Sequence, residues 1–168
     1  VPYGDGELLA AIQPLLNLLN GKYLVVPKPI ELDLANYALR FESDRFRLYE
    51  NPKVLPWFYL APAAEVLKDG EQVLSRLGSG RVDLQRVALL EKAPSVVLDG
   101  AGDPDRDRVE RLVYDLPGGV IRLRTQSDGP RVLVLSENYH TNWSVSVDGE
   151  PAEMLRTNYV WKGVALPA

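Results

Sequence analysis

The amino-acid sequence predicts an α+β fold that is mainly β, with a C-terminal antiparallel β-sandwich of jelly-roll or immunoglobulin-like type. The clearest indication is the run 131–166, in which short apolar segments alternate with turn residues. Within this run, residues 143–147 alternate Trp and Val with Ser, which is the period of a half-buried strand. Asp148 and Gly149 follow, a pair that favours a tight hairpin turn because glycine adopts positive φ without steric cost.

The N-terminal part of the chain is predicted to mix helices and strands. Residues 7–20 place Leu and Ile at spacings of three and four, which indicates an amphipathic helix ending at Gly21. Pro14 lies inside this pattern, so we expect it to kink the helix or divide it in two. A second, short helix is predicted at residues 69–77. Short strands are predicted at residues 22–26, 46–50, 55–60 and 86–91.

A turn-rich connector at residues 99–107 divides the predicted chain in two. Residues 1–98 form the mixed α/β portion, residues 99–168 form the β-sandwich portion, and we expect the two to pack as one compact unit. Six short strands separated by turn residues are typical of a sandwich. In the second portion they are predicted at residues 109–116, 120–125, 132–135, 143–147, 152–156 and 159–166.

Composition excludes several classes of function. The 168 residues carry a formal charge of −4, which argues against a partner as acidic as nucleic acid. The chain has no cysteine, which excludes disulfides, thiolate catalysis and zinc–thiolate sites. The uncharged N-terminal stretch 8–21 is too short and too polar to span a bilayer, which takes about 20 apolar residues. The chain starts without an initiator methionine, and we expect a domain excised from a longer protein.

Three aspartates resemble the start of a calcium-binding loop. Asp103, Asp105 and Asp107 alternate as the first carboxylates of such a loop do. The sixth and twelfth positions hold Arg108 and Tyr114, where an EF-hand needs Gly and Glu. The pattern therefore favours a solvated turn, and neither a metal nor a cofactor is predicted.

The single histidine offers a weak case for catalysis. His140 lies near Ser136, Ser144 and Glu137 in sequence, the residue types of a hydrolytic triad. The chain lacks the Gly-x-Ser-x-Gly, His-Glu-x-x-His and phosphate-loop patterns. No catalytic residue is predicted.

The loop before residue 145 is the candidate ligand-binding site. Aromatic rings stack on sugar rings, and amides bind hydroxyl groups, although aromatic residues on strands more often fill a core. Tyr139, His140 and Asn142 are expected to be exposed, whereas Trp143 shares the apolar side of its strand. Four aromatic residues offer rings for such a platform: Tyr139, Trp143, Tyr159 and Trp161. The predicted ligand-binding residues are Tyr139, His140, Asn142 and Trp143.

Several motifs carry a family resemblance. The stretches 15–26 (LLNLLNGKYLVV), 48–62 (LYENPKVLPWFYLAP), 132–159 and 163–168 resemble the C-terminal extracytoplasmic segment of the YfhO-type bacterial membrane proteins. These are large polytopic proteins related to lipid-dependent, GT-C type glycosyltransferases. The chain departs from the family at one place, since Thr141-Asn142 stands where relatives have Pro-Gly before the tryptophan.

The resemblance implies a soluble extracytoplasmic domain at a bacterial cell membrane, with any transferase chemistry in the membrane-embedded part. It implies as partners that membrane-embedded remainder and a glycan or lipid-linked sugar. The leading hypothesis is a non-catalytic module that binds carbohydrate or cell-envelope glycan. One alternative is a structural or protein-interaction domain, which an exposed apolar patch at residues 8–19 would mark. An independent hydrolase is the third alternative.

Overall fold

The computed structural model describes residues 5–32, 34 and 36–168, with side chains from residue 12 onward. These residues form two α-helices and thirteen strands, so the predicted α+β, mainly β fold class is confirmed. The chain forms two compact units. The first comprises Val1–Pro56 and Leu77–Gly80, and the second comprises Trp57–Arg76 and Arg81–Ala168.

The first unit combines one helix with a three-stranded antiparallel sheet. Its elements are α1 (Asp5–Leu18), β1 (Tyr23–Pro27), β2 (Ala38–Glu42) and β3 (Phe46–Glu50), and the strand order is β1-β3-β2. The helix continues through Pro14, which costs one backbone hydrogen bond. Of the two outcomes expected for Pro14, a kink or a division into two helices, the division does not occur. β2 was not predicted, because residues 30–44 show no regular hydrophobic period.

The core of the first unit contains apolar side chains from one face of this sheet and from α1. Val26 and Leu34 are buried at its centre. The side chains packed around them are Ile12, Leu16, Leu24, Leu32, Tyr37 and Tyr49. Leu24 and Val26 alternate along β1 with Tyr23 and Val25, so the two pairs of side chains lie on opposite faces of the sheet. Leu24 and Val26 lie on the covered face, and the exposed Tyr23 and Val25 lie on the open face.

A buried amide fixes the end of β3 to the helix. Asn51 donates from Nδ2 to Asn17 Oδ1 at 2.8 Å and to the Gly21 carbonyl at 3.1 Å. Its Oδ1 accepts from the backbone N–H of Lys53 at 3.0 Å. Both ends of this amide are therefore satisfied inside the unit.

The second unit is built from one helix and ten strands. These are β4 (Phe58–Ala61), β5 (Ala63–Val66), α2 (Gly70–Gly78, which ends in the first unit), β6 (Val87–Leu90), β7 (Arg108–Asp115), β8 (Val120–Gln126), β9 (Arg131–Asn138), β10 (Val145–Val147), β11 (Glu150–Ala152), β12 (Met154–Thr157) and β13 (Trp161–Leu166). Six strands form a central sheet in the order β4-β9-β13-β12-β6-β5. Its pairs are antiparallel except for β5 and β6, which run parallel.

Two hairpins cover one face of the central sheet. The hairpins β7–β8 and β10–β11 pack on the buried cluster that β4, β9 and β13 contribute. The buried residues of this cluster are Leu60, Leu133, Leu135, Val164 and Leu166, and the hairpins add Val109, Ile121, Leu123, Val145, Val147 and Ala152. Two β layers thus enclose an apolar interior.

The division between compact units does not coincide with the predicted division at residues 98 and 99. β4, β5 and β6 precede residue 99 and yet belong to the same sheet as β9, β12 and β13. The connector therefore joins strands of a single unit. The physical reason is strand pairing across long sequence separations, which the local pattern does not encode.

Two predicted strands are shorter or divided. The strand predicted at 143–147 begins at Val145, and the strand predicted at 152–156 is two strands separated at Glu153. Asp148 and Gly149 adopt the predicted turn, with φ of 51° and 91°. β11 pairs back on β10 across this turn, whereas β12 pairs with β13 in the central sheet, so the chain changes layer at Glu153.

Candidate functional site

The candidate site lies where β9 and β13 lose regular pairing. Trp161 and Lys162 are adjacent on β13, but their partners on β9 are three residues apart, so Ser136 and Glu137 form an irregularity between them. Bulges of this kind redirect side chains and are frequent beside functional sites. Here the irregularity lies beside Glu137 on β9 and Lys162 on β13.

Glu137 accepts two hydrogen bonds on one oxygen. Trp57 Nε1 donates to Glu137 Oε1 at 3.2 Å, and the Tyr114 hydroxyl donates to the same oxygen. Tyr114 lies on β7 and packs edge-on against Phe58, with ring centroids 5.9 Å apart. Burial, reinforced by the Glu137 carboxylate, raises the pKa of Tyr114, so the phenol remains a donor at neutral pH.

Lys162 is a buried cation on an otherwise apolar strand. The residue is 2% exposed, and its ammonium lies 3.8 Å from the centroid of the Trp143 ring. Within the described residues, no hydrogen bond or ion pair to the ammonium accompanies this cation–π contact. Burial lowers the pKa of Lys162, and the charge of Glu137 partly opposes that shift.

Two sets of contacts from the neighbouring strands β9 and β13 make up what is here named the Glu137 cluster. Trp57 and Tyr114 contact Glu137, and Trp143 contacts Lys162, whose pKa Glu137 raises. The cluster combines a half-exposed indole, a carboxylate and an ammonium. Both protein donors contact Oε1, so Oε2 retains acceptor capacity toward a ligand. An aromatic face beside a charged acceptor and a charged donor suits a molecule with a C–H face and hydroxyl groups.

Of the four predicted ligand-binding residues, Trp143 joins the Glu137 cluster. The side chains of His140 and Asn142 are exposed, and the Asn142 backbone N–H donates to His140 Nδ1 at 3.1 Å. Tyr139 is half-buried, and its backbone N–H donates to the Val160 carbonyl at 2.7 Å. These three residues line the loop that leads into Trp143, and their role in ligand binding stays a prediction.

The residues proposed for a hydrolytic triad do not converge. In the part of the chain that the structure describes, neither a serine hydroxyl nor a carboxylate hydrogen-bonds to the His140 ring. Glu137, the acid nearest in sequence, is bonded to Trp57 and Tyr114 instead.

The four aromatic residues considered for a platform do not form one surface. Trp161 is buried in the core. Tyr159 adopts a φ of 76°, and its ring lies 5.1 Å from the guanidinium carbon of Arg156. Trp57, which the sequence analysis did not select, supplies the exposed ring instead.

The three aspartates of the calcium-like pattern have separate partners. Asp103 Oδ1 accepts from the Asp105 backbone N–H at 3.0 Å, and the Asp105 side chain pairs with Arg86 at 2.7 Å. Asp107 pairs with the buried Arg131 at 2.6 Å. Among the described residues, no group of three or more His, Cys, Asp or Glu side chains is arranged to hold a metal ion.

Sequence reasoning missed four members of the Glu137 cluster. Lys162 carries one usable signal, since a lysine amid the apolar strand residues 161–166 is unexpected in a core. Trp57 and Tyr114 carry none, because they are separated from Glu137 by 80 and 23 residues.

Comparison with known protein families, with curated proteins and with solved structures finds no match to this chain. In the residues that the structure covers, neither helix is long and apolar enough to cross a membrane.

Proposed function

We propose that this chain is a non-catalytic, carbohydrate-binding extracytoplasmic domain of a YfhO-type bacterial membrane protein. The observation that carries the binding part of the proposal is the Glu137 cluster, in which the half-exposed ring of Trp57 is hydrogen-bonded to a carboxylate. The ligand is a glycan or lipid-linked sugar of the cell envelope, and the membrane-embedded remainder of the protein is the partner that delivers or receives it.

The orientation of Trp57 suits a stacking surface. Its Nε1–H is bonded to Glu137, while the side chain remains 45% exposed. A ring that is already held in place loses little conformational entropy when a ligand stacks on it. The hydrogen bond thus supports binding by preorganisation, with no rearrangement of the indole.

The extracytoplasmic assignment rests on the motifs of the resemblance. Trp57 lies in the stretch 48–62, and Glu137 and Trp143 lie in the stretch 132–159. Three residues of the proposed site therefore come from the segments that resemble the family. Binding of sugar near the membrane fits a protein group related to enzymes that use lipid-linked sugars.

A titration with cell-envelope glycans, followed by NMR, tests this proposal. We expect saturable binding by the wild-type protein and at least about tenfold weaker binding by Trp57→Ala, since loss of a stacking contact of about 1.4 kcal/mol changes Kd tenfold. Tyr23→Ala is the matched control, because Tyr23 is an exposed aromatic residue of the first unit. Absence of binding by folded wild-type protein, or equal weakening by both variants, would contradict the proposal.

The open face of the three-stranded sheet favours a second candidate function, docking onto a protein partner. Val25 and Phe41 both lie opposite Leu48, on the same side of the sheet. The exposed apolar residues of this face are Tyr23, Val25, Phe41 and Phe46, each 38% to 58% exposed. Contiguous apolar surface of this kind marks interaction sites.

The apolar patch predicted on the helix is described only in part. Residues 8–11 lie outside the described side chains; Leu15 and Leu19 are exposed, and Leu18 is buried. If docking is the function, the double variant Val25→Ser, Phe41→Ser weakens co-purification of this domain with the membrane-embedded remainder when the two are produced as separate chains. Unchanged co-purification would contradict the docking function.

A further inference from the structure

We infer that the open face of the three-stranded sheet binds the same face of a second copy of this chain, so that the protein forms an isologous dimer. The apolar side chains that form the contact are Tyr23, Val25, Phe41 and Phe46. This inference concerns a surface of the first unit and is independent of carbohydrate binding at the Glu137 cluster. It assigns the face an occupant other than the membrane-embedded remainder.

The four side chains form one patch. Val25 on β1 and Phe41 on β2 both lie opposite Leu48 of β3, so they flank the middle of the sheet on one side. Phe46 lies two residues from Leu48, which places it on the same face, and its ring centroid is 5.9 Å from that of Phe41. Tyr23 lies two residues before Val25 on β1 and also shares this face. The patch therefore extends across all three strands.

The exposed area of this patch matches what a dimer contact requires. Tyr23, Val25 and Phe41 are 53% to 58% exposed, and Phe46 is 38% exposed. With about 200 Å² for a whole aromatic side chain and less for valine, these fractions leave about 400 Å² of apolar surface in water. A standard interface buries about 800 Å² per partner, of which a little more than half, about 450 Å², is apolar. One open face thus supplies the apolar share of an interface of ordinary size.

The charge of the sheet is balanced, so two copies of it meet without repulsion. Residues 22–50 contain five basic and five acidic residues, which gives a net charge of zero. Four of these cations pair with carboxylates of the same unit at 2.6 to 3.5 Å: Lys22 and Arg40 with Glu50, and Lys28 and Arg47 with Glu42. An anionic lipid surface or a nucleic acid would instead require an excess of basic charge. The face therefore favours an apolar, neutral partner.

A second copy of the sheet has the required shape. The faces of two sheets pack about 10 Å apart, with the side chains of one interdigitating with those of the other. A twofold axis places the same patch on both sides of the contact, and this is the commonest symmetry of protein dimers. The chain thus supplies, in its own second copy, a sheet face that is apolar and carries no net charge.

Analytical ultracentrifugation of the protein at about 1 to 500 µM tests the inference, since interfaces of this size reach micromolar affinity or better. We expect the weight-average mass to rise from one chain to two over this range. The double variant Val25→Ser, Phe41→Ser should raise the Kd of the dimer at least about tenfold, because each dimer loses four apolar side chains from its centre. The control is Leu116→Ser, Val120→Ser, two residues of the second unit that are each 42% exposed, and it should leave the Kd unchanged.

Isotope-filtered NOEs between labelled and unlabelled copies of the wild type locate the contact without any variant. We expect NOEs from the Val25 methyl groups of one copy to the rings of Tyr23, Phe41 or Phe46 of the other. A mass of one chain at every concentration would overturn the inference, as would NOEs at another surface or unchanged dimerisation of the folded double variant. A monomer whose open face binds the separately produced membrane-embedded remainder would also overturn it and would support the docking function. None of these results bears on sugar binding by the Glu137 cluster, which the glycan titration tests by itself.

Discussion

Asp107 neutralises the most deeply buried charge of the described chain. The Arg131 side chain has no exposed surface, and its Nε donates to Asp107 Oδ2 at 2.6 Å. Its other nitrogens donate to Asp107 Oδ1 at 3.3 Å and to the carbonyls of Ala101 and Pro130 at 2.7 and 2.9 Å. Each of the three guanidinium nitrogens is therefore hydrogen-bonded, with Asp107 as the counter-charge.

Replacing Asp107 with alanine leaves this guanidinium buried without a counter-charge. Breaking a buried pair by removal of one partner costs about 3–5 kcal/mol of the free energy of unfolding. For a chain of this size, each kcal/mol shifts the melting temperature by about 2–4 °C. We therefore expect the Asp107→Ala variant to melt roughly 6–20 °C below the wild type.

Urea and thermal unfolding followed by circular dichroism measure this loss. Asp105→Ala is the control from the same turn, because the Asp105 side chain is 77% exposed and its pair with Arg86 lies at the surface. Exposed pairs contribute about 0–1 kcal/mol. Two results would refute the reasoning: a loss below about 1 kcal/mol for Asp107→Ala, or an equal loss for both variants.

Three further changes are predicted from packing and hydrogen bonding. A Cβ at Gly163 would lie 2.2 Å from Thr157 Cγ2, so Gly163→Ala should cost about 1–3 kcal/mol in urea unfolding. Adding Thr157→Ser, which removes that methyl group, should recover part of the loss, and no recovery would contradict this account. Burial raises the pKa of Tyr59 above its ordinary value of 10.0. Above pH 10.0 the unfolded state therefore releases the Tyr59 proton while the native state keeps it. The contribution of buried Tyr59 to the free energy of unfolding is complete below pH 10.0 and is lost as the pH rises further. Tyr59→Phe should flatten this alkaline decline in stability. It should also lower the free energy of unfolding by about 1–2 kcal/mol, because Asn158 Nδ2 loses its acceptor 3.0 Å away. An unchanged pH profile of stability would contradict this prediction. Asn51→Ala should lower the free energy of unfolding by about 2–3 kcal/mol, since two half-buried oxygens, of Asn17 and Gly21, lose their donor. A neutral effect would show that water replaces the Asn51 amide.

Local features of the fold follow from local chemistry. The turn at Asp148 and Gly149 was predicted from its residue types, and both adopt positive φ. The helix α1 follows from leucine spacing, and the strand at Phe46–Glu50 has the predicted bounds. These elements depend on neighbours within a few positions, which is why the sequence predicts them.

The candidate site was predicted only in part, for a physical reason. The sequence predicts Trp143 as a ligand contact because it follows a loop rich in aromatic and amide residues, and it also places Trp143 on the apolar side of its strand. In the structure the Trp143 ring contacts the Lys162 ammonium. The contact of Trp57 with Glu137 depends on the pairing of β4 with β9, across 80 residues. No periodicity within either strand specifies that partner.

The sequence alone determined the mainly β class, most helix and strand positions, and the acidic and cysteine-free character. Each of these depends on composition or on spacing along the chain. The tertiary structure decided the order of the central sheet, the boundary between compact units and the meeting of Glu137 with Trp57 and Tyr114. These depend on which strands pair and on the irregularity between Trp161 and Lys162, and both are fixed by burial of apolar surface across the whole unit rather than by any local pattern.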